Sequence, residues 1–255
     1  MKRIACAACL SAAAVLAGGG AGGAHAAPYY LNIGLEPFGD RGNQVAMDRV
    51  FGEDAWILGN YRTVDAAALL ASADFLFLEG GDFLANDLEA FLDANRAALE
   101  QWVFDGGRLL VNAAPTEGDG MSFILGAQLV FPLLSDEAVA SDPLHPVFDG
   151  VTTRYTGNQF AHGRIANGGA ALIEDAADGE AVLSYRMHGA GLAVFGGMTT
   201  VRFQSPSGDA ETLRANLIDW TANGELRTSE VPLPASALLL LAGVAVMGAV
   251  RRRAA

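Results

Sequence analysis

The chain has only two cysteines and one lysine, and all three lie near its start: Cys6, Cys9 and Lys2. The rest of the sequence therefore has no thiol for a disulfide, a metal site or a nucleophile. It also has no lysine amine for a Schiff base or for a phosphate-binding loop of the P-loop type. We expect the stability of the folded part to come from packing alone.

Histidine is also scarce, with four in the chain. His145, His162 and His188 lie far apart, and none of them has the spacing of a zinc motif. His162 alternates with Arg164 on a predicted strand and His188 alternates with Arg186 on another, a pattern typical of a polar face or of a solvated strand edge. No G-x-S-x-G pattern surrounds any serine, so a serine hydrolase of that type is not expected.

Positive charge is in short supply, because 16 Lys and Arg face 29 Asp and Glu, a formal net charge of −13. Five of those basic residues lie in the two terminal segments; taking five positive charges from −13 leaves −18 for the region between them. Such a field repels nucleic acid and anionic lipid and suits solubility or divalent cations. We expect no nucleic-acid partner.

The amino terminus has the pattern of a signal peptide over residues 1–26. Lys2 and Arg3 precede an Ala-rich apolar stretch, and Ala24 and Ala26 are the small residues that signal peptidase recognises. Cleavage before Ala27 would remove both cysteines with the peptide. The sequence therefore predicts export.

The carboxyl terminus, residues 231–255, has the pattern of a membrane anchor. No charged residue occurs from 231 to 250, a length that spans about 30 Å as a helix, and the basic cluster that follows should stay on the cytoplasmic side. The parts of this segment are the motif Val231, Pro232, Leu233, Pro234 and Ala235, the apolar stretch, and the cluster Arg251, Arg252 and Arg253.

This order of parts resembles the VPLPA variant of the bacterial PEP-CTERM sorting domain. The resemblance implies recognition by an exosortase, a membrane protease/transpeptidase that removes the tail during export. It also implies membrane attachment through the helix in transit, and a final location in the cell envelope, on the cell surface or in a secreted exopolysaccharide matrix. Exopolysaccharide or an envelope protein would then be a partner.

Residues 27–222 are long enough for one domain with its own core, and 223–230 form a polar linker. Short apolar runs at 29–35, 55–58, 75–80 and 108–111 alternate with helical stretches at 43–51, 63–71 and 86–103, which predicts a β-α-β arrangement. In the first helix we expect Val45, Val50 and Phe51 to face inward. Four later runs, at 160–165, 170–173, 181–185 and 192–195, predict antiparallel strands at one edge, followed by a helix at 209–222.

Five segments carry a second resemblance: FLFLEGGDF, WVFDGGRLLVNAAP, LHPVFDGV, GAGLAVFGG and LRANLIDW. In this order they resemble class I glutamine amidotransferase-like domains, especially those near trehalose-utilisation proteins. The resemblance implies a flavodoxin-like, mostly parallel sheet sandwiched by helices. Active members have a cysteine after the strand that follows Gly-Gly and a histidine after a later strand. Here those positions hold Asn112 and the run Met198, Thr199 and Thr200, so amide hydrolysis is not expected.

The candidate ligand-binding residues are acids at the carboxyl end of the strand FLFLEG, where open α/β sheets bind ligands. Glu79 and Asp82 flank a Gly-Gly pair and, with Glu36 and Asp40 from the loop after the first strand, would suit calcium or a sugar hydroxyl. The alternative is a turn whose acids are solvated or cap the next helix. His145 before Pro146 is either a ligand or part of a structural loop. No other cofactor is expected.

Two functional hypotheses follow. The first is an exported, exosortase-sorted protein whose amidotransferase-like domain binds a ligand or has a structural role without catalysis. The second is a carbohydrate-active hydrolase that uses carboxylates near Glu79 and Asp82 as acid and base. The first is favoured, because no nucleophile, metal motif or cofactor fingerprint is found in the sequence.

Overall fold

The computed structural model describes residues 26–225, and a large β-sheet dominates it. The strands in this range are β1 (Ala27–Asn32), β2 (Ile57–Asn60), β3 (Ala73–Glu79), β4 (Arg108–Asn112), β5 (Met121–Ser122), β6 (Gln128–Val130), β7 (Ser135–Ala140), β8 (Arg154–Ala161), β9 (Arg164–Ala166), β10 (Ala170–Asp175), β11 (Ala181–His188), β12 (Gly191–Gly196) and β13 (Gln204–Ser205). The α-helices are α1 (Gly42–Phe51), α2 (Ala66–Ser72), α3 (Ala85–Phe104) and α4 (Ser207–Asn223).

The large sheet has ten strands in the order β13-β8-β7-β10-β11-β12-β4-β3-β1-β2. Strands β2, β1, β3, β4 and β12 run parallel to one another, and the other five continue the sheet with antiparallel pairing. Strands β5, β6 and β9 form a small separate sheet. The predicted mixed α/β fold with a large sheet is confirmed.

No α-helix joins β4 to β12 in the described structure, although the two strands are parallel neighbours. The chain between them instead forms the small sheet and four antiparallel strands of the large one. Antiparallel strands need only short turns, whereas adjacent parallel strands need a crossover connection. This long excursion supplies four of the five strands in the antiparallel part, and β13, which follows β12, supplies the fifth.

Both faces of the central parallel strands β3 and β4 are covered. Side chains alternate along β3, so Phe75 and Phe77 join the core layer under α1 and α4, while Leu76 and Leu78 join the layer under α2 and α3. A strand buried on both faces has a continuous apolar sequence, which is why FLFLEG was recognisable as a strand.

Helix α1 does not present the predicted face. Val50 and Phe51 pack partly against the core, but Val45 is 56% exposed, and Asn43 and Met47 are buried instead. The helix is rotated toward Asn43 because that amide has hydrogen-bond partners inside the molecule, at Glu79 and Tyr30.

The predicted strand at 160–165 is divided between β8 and β9, and the expectation of a solvated edge is wrong for its polar residues. His162 and Arg164 are 5% and 4% exposed. The Arg164 Nη2 atom lies 2.9 Å from the Asp175 Oδ2 atom, and this ion pair allows the guanidinium to be buried.

The predicted signal peptide lies outside the described residues apart from its last one, and the predicted sorting segment lies wholly outside them. Within residues 26–225, no helix combines the length and the apolar character that a membrane crossing requires.

Candidate functional site

The carboxyl ends of the parallel strands meet at one edge of the large sheet. Strand β3 ends at Glu79 and β4 ends at Asn112, which pair with each other in the sheet register. Asn112 also pairs with Gly196, the last residue of β12. Parallel pairing therefore places polar side chains from distant parts of the sequence next to one another, at the edge where such sheets bind ligands.

Glu79 is the centre of this group and is only 1% exposed. Its Oε1 atom accepts hydrogen bonds from the Gly81 N–H at 2.6 Å and from the Asn112 amide at 3.2 Å. Its Oε2 atom accepts from the Asn43 amide at 2.7 Å. Burial raises the pKa of Glu79 to about 7, while the charge of Arg214 and these hydrogen bonds oppose the rise. With this pKa, the Glu79 carboxyl group gains and loses its proton near neutral pH.

Arg214 in α4 is the positive charge that most strongly opposes the raised pKa of Glu79. Its side chain is only 1% exposed. Burial lowers the pKa of its guanidinium, and the charge of Glu79 opposes that change. Its Nη2 atom donates to the carbonyl oxygen of Thr199 at 2.8 Å, and its Nε and Nη1 atoms have no partner among the described residues. The domain therefore buries a basic and an acidic side chain that shift each other's pKa without direct contact.

Glu36 is joined to Glu79 through shared donors. The hydroxyl of Tyr30 donates to the Glu36 Oε2 atom at 2.8 Å, and the amide of Asn43 lies 3.2 Å from that hydroxyl while it also binds Glu79. The Gln44 amide donates to the Glu36 Oε1 atom at 2.6 Å. Burial raises the pKa of Glu36 and also that of Tyr30, whose hydroxyl is a donor in this chain of contacts.

Asp40 and Asp82 have a different role, because both fasten the loop that contains Phe38. The Asp82 Oδ2 atom accepts from the Phe38 N–H at 3.1 Å. The Asp40 Oδ2 atom accepts from the Arg202 N–H at 3.2 Å, and the Arg202 guanidinium donates to the Phe38 carbonyl at 2.9 Å. These contacts tie the loop after β1 to the loops after β3 and β12.

The fastened loop lies directly over the turn that follows Glu79. A Cβ placed on Gly81 would come within 3.1 Å of the Pro37 side chain and within 2.9 Å of the Glu79 Oε1 atom, so only glycine fits between them. The Phe38 ring packs edge-on against His162 at 5.7 Å and Phe203 at 5.1 Å. The loop and its aromatic neighbours leave the carboxylate of Glu79 without access to solvent.

The structure thus divides the predicted acidic group. Glu36 and Glu79 belong to one hydrogen-bonded network, Asp40 and Asp82 hold the loop above it, and the interpretation of Glu79 as a solvated acid is wrong. The roles of Asn43 and Arg214 could not be predicted from the sequence, because each lies in a helix, where a polar residue normally faces water.

His145 lies far from this network, at the other end of α4. Its Nδ1 atom accepts from the Val147 N–H at 3.3 Å and caps the short 3₁₀ turn Pro146–Phe148. Its ring packs against Trp220 at 4.6 Å between centroids. Burial lowers the pKa of His145, opposed by the charge of Asp142. His145 therefore does not act with Glu79.

The two positions that the amidotransferase resemblance gives to the nucleophile and the histidine are neighbours in space. The Asn112 side chain donates to the Met198 carbonyl at 2.9 Å and accepts from the Met198 N–H at 3.1 Å. Beyond Asn112 the chain stays extended, with the Asp82 N–H donating to the Ala114 carbonyl at 2.8 Å. In the described structure no helix follows β4 directly, so the strand–turn–helix geometry that exposes a nucleophile is not formed there.

Calcium was the one cofactor that the acids suggested. Among residues 26–225, no group of three or more Asp, Glu, His or Cys side chains is arranged to hold a metal ion. The acids at the sheet edge instead accept hydrogen bonds from amides, a hydroxyl and backbone N–H groups.

No protein-family model and no curated protein matches the chain. Among solved structures, it is similar over 76% of its length to a protein assigned as a GMP synthase component from Thermoplasma acidophilum, with 15% identity, 95% of that chain covered and a TM-score of 0.48. It is similar over 76% of its length to the cold-adapted β-galactosidase of Rahnella sp. R3, with 12% identity and a TM-score of 0.46. The chain spans about a third of that enzyme, 31% of its length. A cytoplasmic protein from Salmonella typhimurium LT2 aligns over 77% of this chain and 95% of its own, with 12% identity and a TM-score of 0.44.

Proposed function

We propose that this chain is an exported, exosortase-sorted protein of the cell envelope or exopolysaccharide matrix, and that its α/β domain serves binding or structure rather than catalysis. The signal-peptide pattern and the sorting motif supply the export part of the proposal. The strand order β2-β1-β3-β4-β12 corresponds to the 2-1-3-4-5 order of flavodoxin-like sheets, which supports the proposed fold class.

One observation carries the non-catalytic part: the mutual hydrogen bonds of Asn112 and Met198 beside a covered Glu79. Acyl transfer in the resembling enzymes needs a thiol on an exposed turn and an imidazole to activate it. Here an amide occupies the first position and bonds to the backbone at the second. Such a network fixes the ends of three strands and leaves no nucleophile at that point.

The export part is tested by mass spectrometry of protein recovered from cells with and without an exosortase. We expect mature protein that lacks residues 1–26 and, only in the exosortase-bearing host, lacks the tail beyond the Pro motif. Replacement of Arg251, Arg252 and Arg253 by Ala should impair orientation or processing, because these charges hold the inner end of the helix. Intact termini on exported protein would contradict the proposal.

The non-catalytic part is tested by glutaminase assay of the purified protein. No turnover above that of heat-denatured protein is expected. A measurable rate that disappears in Asn112→Leu, in a variant shown by circular dichroism to be folded, would overturn it.

A second function, glycoside hydrolysis, is favoured by one observation: burial raises the pKa of Glu79 to about 7, the range that a general acid needs at neutral pH. A hydrolase would require the Phe38 loop to open and Asp82 to exchange its backbone contact for substrate. Chromogenic glycosides test this directly. A rate lost in both Glu79→Gln and Asp82→Asn supports hydrolysis, and absence of any rate across a panel of sugars removes it.

A further inference from the structure

The opposite end of the parallel strands carries an open cavity that the proposed function does not use. It lies beside the last turn of α4, which the Arg108 guanidinium ties to the start of β4 by donating to the Gly224 carbonyl at 3.1 Å. Its volume is about 310 Å³, within the range of small-molecule sites. An adjoining depression of about 760 Å³ shares His145 and Trp220 with it.

Three aromatic rings line the cavity, and they stand at steep angles rather than in a stack. Trp220 meets His145 at 76° with centroids 4.6 Å apart, and it meets Tyr185 at 84° with centroids 5.2 Å apart. His145 and Tyr185 lie 5.9 Å apart at 46°. Each of the three residues is only partly buried. Rings set at such angles form a corner rather than a flat stack, and the faces of aromatic rings carry negative partial charge.

The remaining lining adds negative charge and apolar surface. The carboxylates of Asp142 and Glu225 and the thioether of Met187 complete the wall, and no Lys or Arg among residues 26–225 lines this cavity. Asp149 and Asp219 line the adjoining depression. Burial lowers the pKa of His145, opposed by the charge of Asp142, and so favours the imidazole without a positive charge.

We propose that this cavity binds a small organic cation of the quaternary ammonium type. Methyl groups on nitrogen bury apolar surface against the rings and Met187, and the charge is stabilised by the ring faces and by the carboxylates. A metal ion lacks that apolar surface, and a zwitterion brings a carboxylate toward Asp142 and Glu225. The ligand is therefore a methylated ammonium without an anionic group next to it. The inference concerns a different surface from the Glu79 network and holds whether or not the protein is exported.

Isothermal titration calorimetry of the full-length protein in detergent with choline chloride tests the proposal, with equal sodium chloride in the reference. We expect saturable binding of choline. Its neutral isostere 3,3-dimethylbutanol, which has the same shape without the charge, should bind about tenfold more weakly. Glycine betaine should also bind more weakly than choline, because its carboxylate faces those of the site.

Three variants locate the site, and one of them, Tyr185→Phe, is the control. Trp220→Leu should weaken choline binding about tenfold or more, whereas Tyr185→Phe, which keeps the ring, should stay within about twofold of the wild type. Asp142→Asn keeps the side-chain oxygen that accepts from the Leu144 N–H, and it gives an independent measurement if Trp220→Leu does not fold. It should weaken the binding of choline but not of the neutral isostere. Absence of saturable choline binding, equal affinity for the isostere, or full affinity in both Trp220→Leu and Asp142→Asn would overturn the proposal.

Discussion

The two ends of the parallel strands differ in how far their polar and aromatic side chains are exposed. At the carboxyl end, Glu79 and Arg214 are both buried, and the Phe38 loop covers Glu79. At the amino end, His145, Tyr185 and Trp220 line an open cavity whose carboxylates face solvent. At the end where open α/β sheets normally bind ligands, Glu79 is thus covered, while an open aromatic cavity lies at the other end.

This difference suggests that the carboxyl end contributes mainly to stability and the amino end to ligand binding. Buried charges are costly unless compensated, so the carboxyl end tolerates few changes. The aromatic end has few buried polar groups that need partners. Its side chains can therefore contact a ligand without contributing much to stability. Substitutions at the two ends should therefore differ in their effect on folding.

The largest effect is expected from Arg214→Met, which removes the buried positive charge. We expect the free energy of unfolding at pH 7 to fall by about 3 kcal/mol, because the Thr199 carbonyl loses a donor and Glu79 loses its compensating charge. Urea unfolding measures it. Arg154→Met is the matched control, since the Arg154 side chain is 61% exposed and pairs with Glu137 at the surface; its cost should be below about 1 kcal/mol. Equal costs would contradict the burial argument.

The second effect concerns pH and is specific to Glu79. Because its pKa is about 7 in the folded protein and 4.5 for an unperturbed glutamate, the folded state keeps a proton that the unfolded state releases between these values. The contribution of Glu79 to the free energy of unfolding should therefore be greatest below pH 4.5. It should fall as the pH rises from 4.5 to 7 and stay constant at higher pH. The loss is about 3 kcal/mol.

Glu79→Gln removes this titration while it keeps one acceptor oxygen. The difference in unfolding free energy between wild type and variant should change across pH 4.5–7 and be constant at higher pH. Glu137→Gln, which removes an acid at the surface, is the control. A flat difference for Glu79→Gln would mean that the carboxyl group is ionised in the folded protein throughout.

The sequence predicted β3 and β4 well because strands buried on both faces have continuous apolar sequences. It was wrong about β12, Gly191–Gly196, which it placed among the antiparallel strands at the edge, whereas β12 runs parallel to β4 inside the sheet. It did not predict β7, Ser135–Ala140, whose sequence SDEAVA has the composition of a loop. This strand forms because β8 and β10 pair with it on either side, and such pairing is set by distant residues.

For the site, the sequence indicated the correct edge of the sheet, but it did not indicate that Glu79 is buried there. Glu79 followed by Gly-Gly is typical of an exposed turn, and the closeness of Pro37 to Gly81 is visible only in three dimensions. Likewise, α1 buries Asn43 and exposes Val45, contrary to the predicted inward face. A buried carboxylate without a hydrogen-bond donor costs more free energy than an exposed valine, and Asn43 is a donor to Glu79.

A smaller effect is expected when the cover over Glu79 is loosened. Asp82→Ala removes the acceptor for the Phe38 N–H and places alanine at a φ of 57°, where Asn and Asp are tolerated best. We expect a loss of about 1–2 kcal/mol and faster hydrogen exchange at the Phe38 amide. Asp82→Asn keeps an acceptor and tolerates that φ, so it should behave like the wild type. Unchanged exchange in Asp82→Ala would show that the loop is held by other contacts.

The smallest effect is expected at the open end, where Leu144 borders the aromatic cavity and is 92% exposed. A leucine that is already in water contributes little to folding, so Leu144→Ser should change the free energy of unfolding by less than about 0.5 kcal/mol. Val147, three residues later in the same loop and fully buried, is the contrasting position; Val147→Ser should cost about 2–3 kcal/mol, because it empties part of the core and buries a hydroxyl. Thermal or urea unfolding of the two variants measures both. A large loss for Leu144→Ser would mean that its side chain covers apolar surface in solution, and that the cavity is less open than its lining indicates.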